Sequence, residues 1–111
     1  MTTLQKQSCR PCEGKSQALT HAQARDLMPQ IPGWTLDESA SLLHRTFTFH
    51  NFYETMAFVN AVAYIAHTED HHPDLTIGYK ECRISYQTHA LSGLSENDFI
   101  CAAKIDALDR S

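Results

Sequence analysis

The sequence predicts an α+β domain: a four-stranded antiparallel sheet with three helices packed on one face, in the order α-β-β-α-β-β-α. Three observations carry this. Apolar and polar residues alternate with period two in three stretches, the second and third nearly contiguous, as half-buried strands require. Three capping patterns, at Thr20, Asn51 and Ser95, mark helix starts. Between Phe52 and Asp70 the chain lacks Gly and Pro and repeats apolar residues three or four apart.

The elements follow in order. Thr20-His21-Ala22-Gln23 fits a capping box, in which the Thr oxygen accepts a backbone N–H and the Gln reaches back. Pro29, Pro32 and Gly33 end that helix, and a short strand is expected at 34–36. Leu43, Phe47 and Phe49 alternate with His44, Thr46, Thr48 and His50, giving a strand with one buried face that Arg45 interrupts. Asn51 caps the second helix with Glu54 at its third position, and Phe52, Met56, Val59, Ala63 and Ala66 form its expected buried stripe. Pro73 biases His72 away from helical geometry, so this helix should end near the two histidines. Leu75, Ile77 and Tyr79, then Cys82, Ile84 and Tyr86, form a hairpin joined at Lys80–Glu81. Ser95-Glu96-Asn97-Asp98 opens the last helix, which has Phe99, Ala102 and Ala103 on one side and Cys101, Ile105 and Leu108 on another. Apolar groups on two sides of a terminal helix hint at a subunit contact.

Composition bounds the function. A chain of 111 residues with 42% hydrophobic residues suits one small domain. The net charge of -4, with no basic block, argues against direct nucleic-acid binding. No apolar run approaches the roughly 20 residues a membrane helix needs, and residues 1–15 lack a signal-peptide core. A soluble, cytoplasmic protein is expected. Residues 1–17 read as a flexible N-terminal extension and residues 18–111 as the single domain. The four cysteines do not resemble a secreted disulfide framework. Cys9-Arg10-Pro11-Cys12 reads as a pair of reduced thiols in the tail, with metal or redox use as the alternative; zinc would need two further ligands.

Seven histidines are many for this length, and imidazole titrates near neutrality. The most informative stretch is His67-Thr68-Glu69-Asp70-His71-His72-Pro73-Asp74. His67 and His71 share a face if the helix continues that far. The carbonyls at a helix C-terminus favour imidazolium, which suits a proton donor. Thr88-His89 ends the last strand, where His89 can approach His71 and His72. Two proton-transfer groups on opposite sides of a flat substrate are what elimination of water needs. The competing reading is a metal site, with His67-x-x-x-His71 at helical ligand spacing and His89 as a third ligand. Asp98 has a structural reading as the third residue of its capping box.

His71-His72-Pro73, then Thr88-His89 with Gly93-Leu94-Ser95 and Asp98, resembles the pterin-4a-carbinolamine dehydratase family. Gly33-Trp34 and Phe47-Thr48-Phe49 leading into Asn51-Phe52 match as well, so the resemblance spans roughly residues 20–108. It implies a hydro-lyase that converts 4a-hydroxytetrahydropterin to quinonoid dihydropterin and water without a metal or organic cofactor. It also implies that His71 and His89 are the acid/base pair, that His72 binds and orients the pterin, and that Asp98 supports His89 or the site geometry. Pro73 would shape the turn presenting the histidines, and Thr88 would join the substrate-binding set. A homodimer or homotetramer, and a functional link to an aromatic amino acid hydroxylase in tetrahydropterin recycling, come with the same resemblance. His67 stands where many family members carry an acidic residue, so its role stays open.

Overall fold

The computed structural model describes residues 3–10 and 18–108. Its elements are α1 (His21–Leu27), β1 (Thr35–Leu36), β2 (Leu43–Thr48), α2 (Phe52–Glu69), β3 (Asp74–Ile77), β4 (Glu81–Tyr86) and α3 (Glu96–Asp106). Short 3-10 turns occur at Leu4–Lys6, Met28–Gln30 and His89–Leu91. The sheet order is β1-β2-β4-β3, antiparallel throughout. The α+β class and the element order are those the sequence predicts. No helix among the described residues is long and apolar enough to cross a membrane.

Period-two alternation places Cys82, Ile84 and Tyr86 of β4 in the core, while Glu81 and Arg83 face out. Register brings Leu43 opposite Tyr86 and Phe47 opposite Cys82, so β2 and β4 bury one continuous face beneath the helices. Arg45 is the exception on β2. Its guanidinium lies 4.4 Å above the Phe47 ring and donates to Asp106 Oδ1 at 3.0 Å. Trp34 Nε1 donates to the same oxygen at 2.8 Å, which ties β2 and the β1 approach to the end of α3. Gly33 makes this packing possible. Its φ is 95°, and a Cβ there would sit 2.8 Å from the Arg45 guanidinium.

The Thr20–Gln23 capping box forms as read from the sequence. Three details differ. The buried face of α2 is Thr55, Phe58, Val59 and Val62, whereas Phe52 and Ala63 of the expected stripe are exposed. The helix is set by Phe58, whose ring packs on Phe47 and Phe49 at 4.7 and 5.0 Å, and Thr55 rotates inward with it. Thr55 Oγ1 lies 2.9 Å from Tyr79 O and 3.0 Å from Asn51 O, so burial leaves its hydroxyl satisfied. Asn51 Oδ1 accepts from Glu54 N–H as expected, but Glu54 turns to the His50 N–H and ring instead of closing a box. The hairpin turn occupies residues 78–80, with Gly78 N–H donating to Glu81 O, so Tyr79 leaves the strand.

The polar N-terminal stretch also does more than its composition suggests. Leu4 is buried in the core, and Gln5, Cys9 and Arg10 bond to α2 and α3. On the second apolar side of α3, read as a hint of a subunit contact, Cys101 meets Cys9 of this segment of the same chain. Cys12 lies outside the described residues.

Candidate active site

The site begins where α2 stops. Asp70 takes a left-handed conformation, φ 52° and ψ 44°, and the His71 N–H turns back to Ala66 O at 3.1 Å. This closes the helix end, because the left-handed residue returns the following N–H groups to orphan carbonyls. His71 therefore leaves the helix, and the face it would have shared with an exposed His67 does not exist. Among the described residues no group of three or more His, Cys, Asp or Glu is placed to hold a metal ion.

His71 swings onto the start of α3. Its Nε2–H donates to Asp98 Oδ1 at 2.6 Å, with side-chain exposures of 14% for His71 and 0% for Asp98. The imidazole stacks on Tyr86, the centroids 5.5 Å apart and the planes 8° from parallel. Asp98 Oδ2 accepts from Thr88 Oγ1 at 2.7 Å and from Ser95 N–H at 3.0 Å. Thr88 Oγ1 in turn lies 2.7 Å from Ser95 Oγ. One buried carboxylate thus joins the helix cap, the end of β4 and the histidine loop. Asp98 caps α3 and braces the site at once. Of the two roles the resemblance implied for Asp98, support of His89 or of the site geometry, the contacts are of the second kind: the carboxylate bonds directly to His71 and reaches the His89 loop only through Thr88.

Electrostatics follow from this geometry. The hydrogen bond to Asp98 holds the His71 pKa above the ordinary imidazole value; burial opposes it, and the charges of Asp98, Cys101 and Asp70 add to it. His71 is thereby poised to carry a proton near neutrality. Its Nδ1 makes no hydrogen bond to a described residue, which leaves that nitrogen for a reacting group.

The other candidates border this pair. His72 is exposed, with Nδ1 3.5 Å from Pro73 O. His89 is exposed at the start of the 3-10 turn and pairs with Gln87 Nε2 at 3.0 Å. The bridge between Thr88 and Gly93 fixes the loop that carries His89. The chain thus attaches an exposed histidine to each buried anchor, His72 to His71 and His89 to Thr88. Tyr86, Gln87 and Ser95 were not foreseen as site residues. Tyr86 read as core from its alternation with Ile84, and nothing in the sequence indicates that its ring would support an imidazole.

The sequence profile of the pterin 4 alpha carbinolamine dehydratase family matches residues 17–108. The chain belongs to this family. A Nitrosospira multiformis protein that carries the provisional name pterin-4-alpha-carbinolamine dehydratase is 53% identical, over 95% of this chain and 91% of its own length. A Legionella pneumophila protein with the same provisional name is 54% identical, over 95% of this chain and 94% of its own. Among solved structures, a transcriptional coactivator/pterin dehydratase from Brucella melitensis superposes with a TM-score of 0.77 at 27% identity, over 81% of this chain and 96% of that one. Membership makes the protein an enzyme of the dehydratase, or hydro-lyase, class.

Proposed function

We propose that the protein dehydrates 4a-hydroxytetrahydropterin to quinonoid dihydropterin and water, using His71 and His89 as acid and base. The carrying observation is the His71–Asp98 pair, a 2.6 Å contact between a nearly buried imidazole and a wholly buried carboxylate. An imidazole held protonated in this way donates to the departing hydroxyl, so the C–O bond breaks and water leaves. His89, exposed on the loop that Thr88 ties to the same carboxylate, accepts the ring N–H proton whose loss permits the new double bond. The protons balance: the one taken at His89 matches the one given at His71, and solvent resets both.

His72 binds and orients the flat ring, and Pro73 shapes the turn that presents it. Asp98 and Thr88 are positioning residues. Asp98 sets the His71 ring orientation and proton affinity, and Thr88 ties the His89 loop to the same carboxylate. No step calls on a metal or organic cofactor. The substrate links the protein to an aromatic amino acid hydroxylase, whose reaction releases the carbinolamine. A homodimer or homotetramer in the cytoplasm belongs to the same proposal, and sedimentation of the purified chain tests the assembly.

The direct test generates the carbinolamine with an aromatic amino acid hydroxylase and follows its dehydration in the ultraviolet. The wild-type protein accelerates that step. A double His71→Ala, His89→Ala variant that folds and retains the wild-type rate would overturn the assignment.

A further inference from the structure

The segment 3–10 runs along α3 in the opposite direction to the helix. Gln5 O accepts from Lys104 Nζ at 2.8 Å. Cys9 N–H donates to Glu69 Oε1 at 2.8 Å, and Cys9 Sγ lies 3.5 Å from Cys101 Sγ. Beyond it, Asn97 Oδ1 accepts from Arg10 N–H at 3.0 Å while Asn97 Nδ2 donates to Arg10 O at 2.6 Å. The segment is thus a strap held by discrete side chains toward both ends, with two thiols meeting beside the Arg10 anchor. Cys9 is half-buried and Cys101 wholly buried behind it. Cys101 sits one turn after Asp98, its sulfur 4.0 Å from His71 O.

We propose that Cys9 and Cys101 form a disulfide when the protein meets a low-molecular-weight disulfide, latching the N-terminal strap to α3 beside the active site. The arrangement separates the two roles that exchange requires. Cys9, the accessible sulfur, attacks one sulfur of the small disulfide; that S–S bond breaks, a mixed disulfide forms at Cys9, and one small thiol leaves. Cys101 then attacks the Cys9 sulfur; the mixed bond breaks, the protein bond forms, and the second small thiol leaves. Two protein thiols are oxidised and one small disulfide is reduced to two thiols. The sulfurs must close from 3.5 Å to about 2.0 Å. The strap, anchored by a few hydrogen bonds, can supply that movement where the packed helix cannot. The hydrogen bond with Cys9 holds the Cys101 thiol below its ordinary value against burial, and the His71 charge adds to it. This favours Cys101 as the resolving thiolate. The same hydrogen bond, with burial, holds Cys9 up, so the first step is slow and calls for excess oxidant.

The test uses the full chain carrying Cys12→Ser, which removes the neighbouring competitor. After incubation with excess oxidised glutathione, tryptic digestion without reductant should yield residues 7–15 joined to residues 84–104. The thermal midpoint should rise by several degrees, because the bond spans 92 residues of chain, and should return on reduction. Adding Cys101→Ser, or Cys101→Ala should the serine variant fold poorly, should stop the reaction at glutathione on Cys9 with no joined peptide. Persistence of the mixed disulfide in the Cys12→Ser protein would overturn the proposal. So would a Cys9–Cys12 bond to the exclusion of Cys9–Cys101 in the wild-type chain.

Discussion

The two sides of the candidate active site are built differently. His71 is nearly buried, stacked on Tyr86 and bound to a carboxylate that also caps α3 and holds Thr88. His89 is exposed, with a single Gln87 contact on a short loop. A buried imidazole costs stability unless it is paired, and pairing to a carboxylate raises its proton affinity. The pairing therefore favours the protonated form on the His71 side, and the proposal gives the accepting role to the solvent-exposed His89. The difference assigns direction to the proposed chemistry, although both groups are the same amino acid.

Separating activity from stability tests this contrast most strongly. His71→Ala should lower the dehydration rate by about 10²–10⁴-fold, the range typical of acid/base groups. It should also destabilise the fold by roughly 3 kcal/mol, because it leaves the Asp98 charge buried and unpaired. His89→Ala should show a comparable rate loss with a stability change within about 0.5 kcal/mol. Urea unfolding measured beside the assay checks both. Equal stability losses for the two variants would end the distinction.

Thr88→Val probes the link between the two sides. It removes the donor to Asp98 Oδ2 and the partner of Ser95 Oγ, so a loss of about 1–1.5 kcal/mol is expected. The rate should fall less than for either histidine variant, because the hydroxyl positions the loop without touching the reacting atoms.

A pH series tests the electrostatic half. The folded His71 binds its proton more tightly than the unfolded chain does. Its contribution to stability is therefore fully present below the ordinary imidazole value and is lost as pH rises through the raised one. Unfolding free energy followed across that window should decline in the wild type. Asp98→Asn should flatten the decline and shift the acid-dependent limb of the rate profile to lower pH. A slope unchanged in Asp98→Asn would place the proton elsewhere.

The smallest effect is expected at the helix end. Asp70 holds a left-handed conformation that glycine adopts without steric cost. Asp70→Gly should change stability by less than about 1 kcal/mol and leave the His71 turn intact, as thermal unfolding and the dehydration assay would report. A large loss of rate would show that the Asp70 side chain, and not its backbone, matters to the site.

Much of this molecule is legible along the chain because its signals are local. Capping pairs at Thr20 and Ser95, alternation in β2 and β4, and Pro73 after the two histidines each act over a few residues, and each element forms where those residues place it. The phase of α2 is less legible. Phe52 and Ala63 have the right spacing, yet the sheet takes the face carrying Phe58, and a threonine satisfied by a carbonyl from the hairpin turn packs with it. The strap is illegible in the same sense. One leucine among polar residues gives no periodic signal, and its contacts with α2 and α3 lie 60 to 99 residues away in the chain.

The sequence by itself determined the α+β class, the element order, the family and the group of histidines on which the chemistry is proposed to rest. Only the tertiary structure decided that Asp98 serves His71, that Tyr86 lies against its ring and that Cys9 meets Cys101. Spacing reports which residues share one element's face, because helix and strand periods are short and fixed. Which of two histidines receives a carboxylate depends on how the end of α2 closes and where α3 packs. Those are contacts between elements, and no local period encodes them.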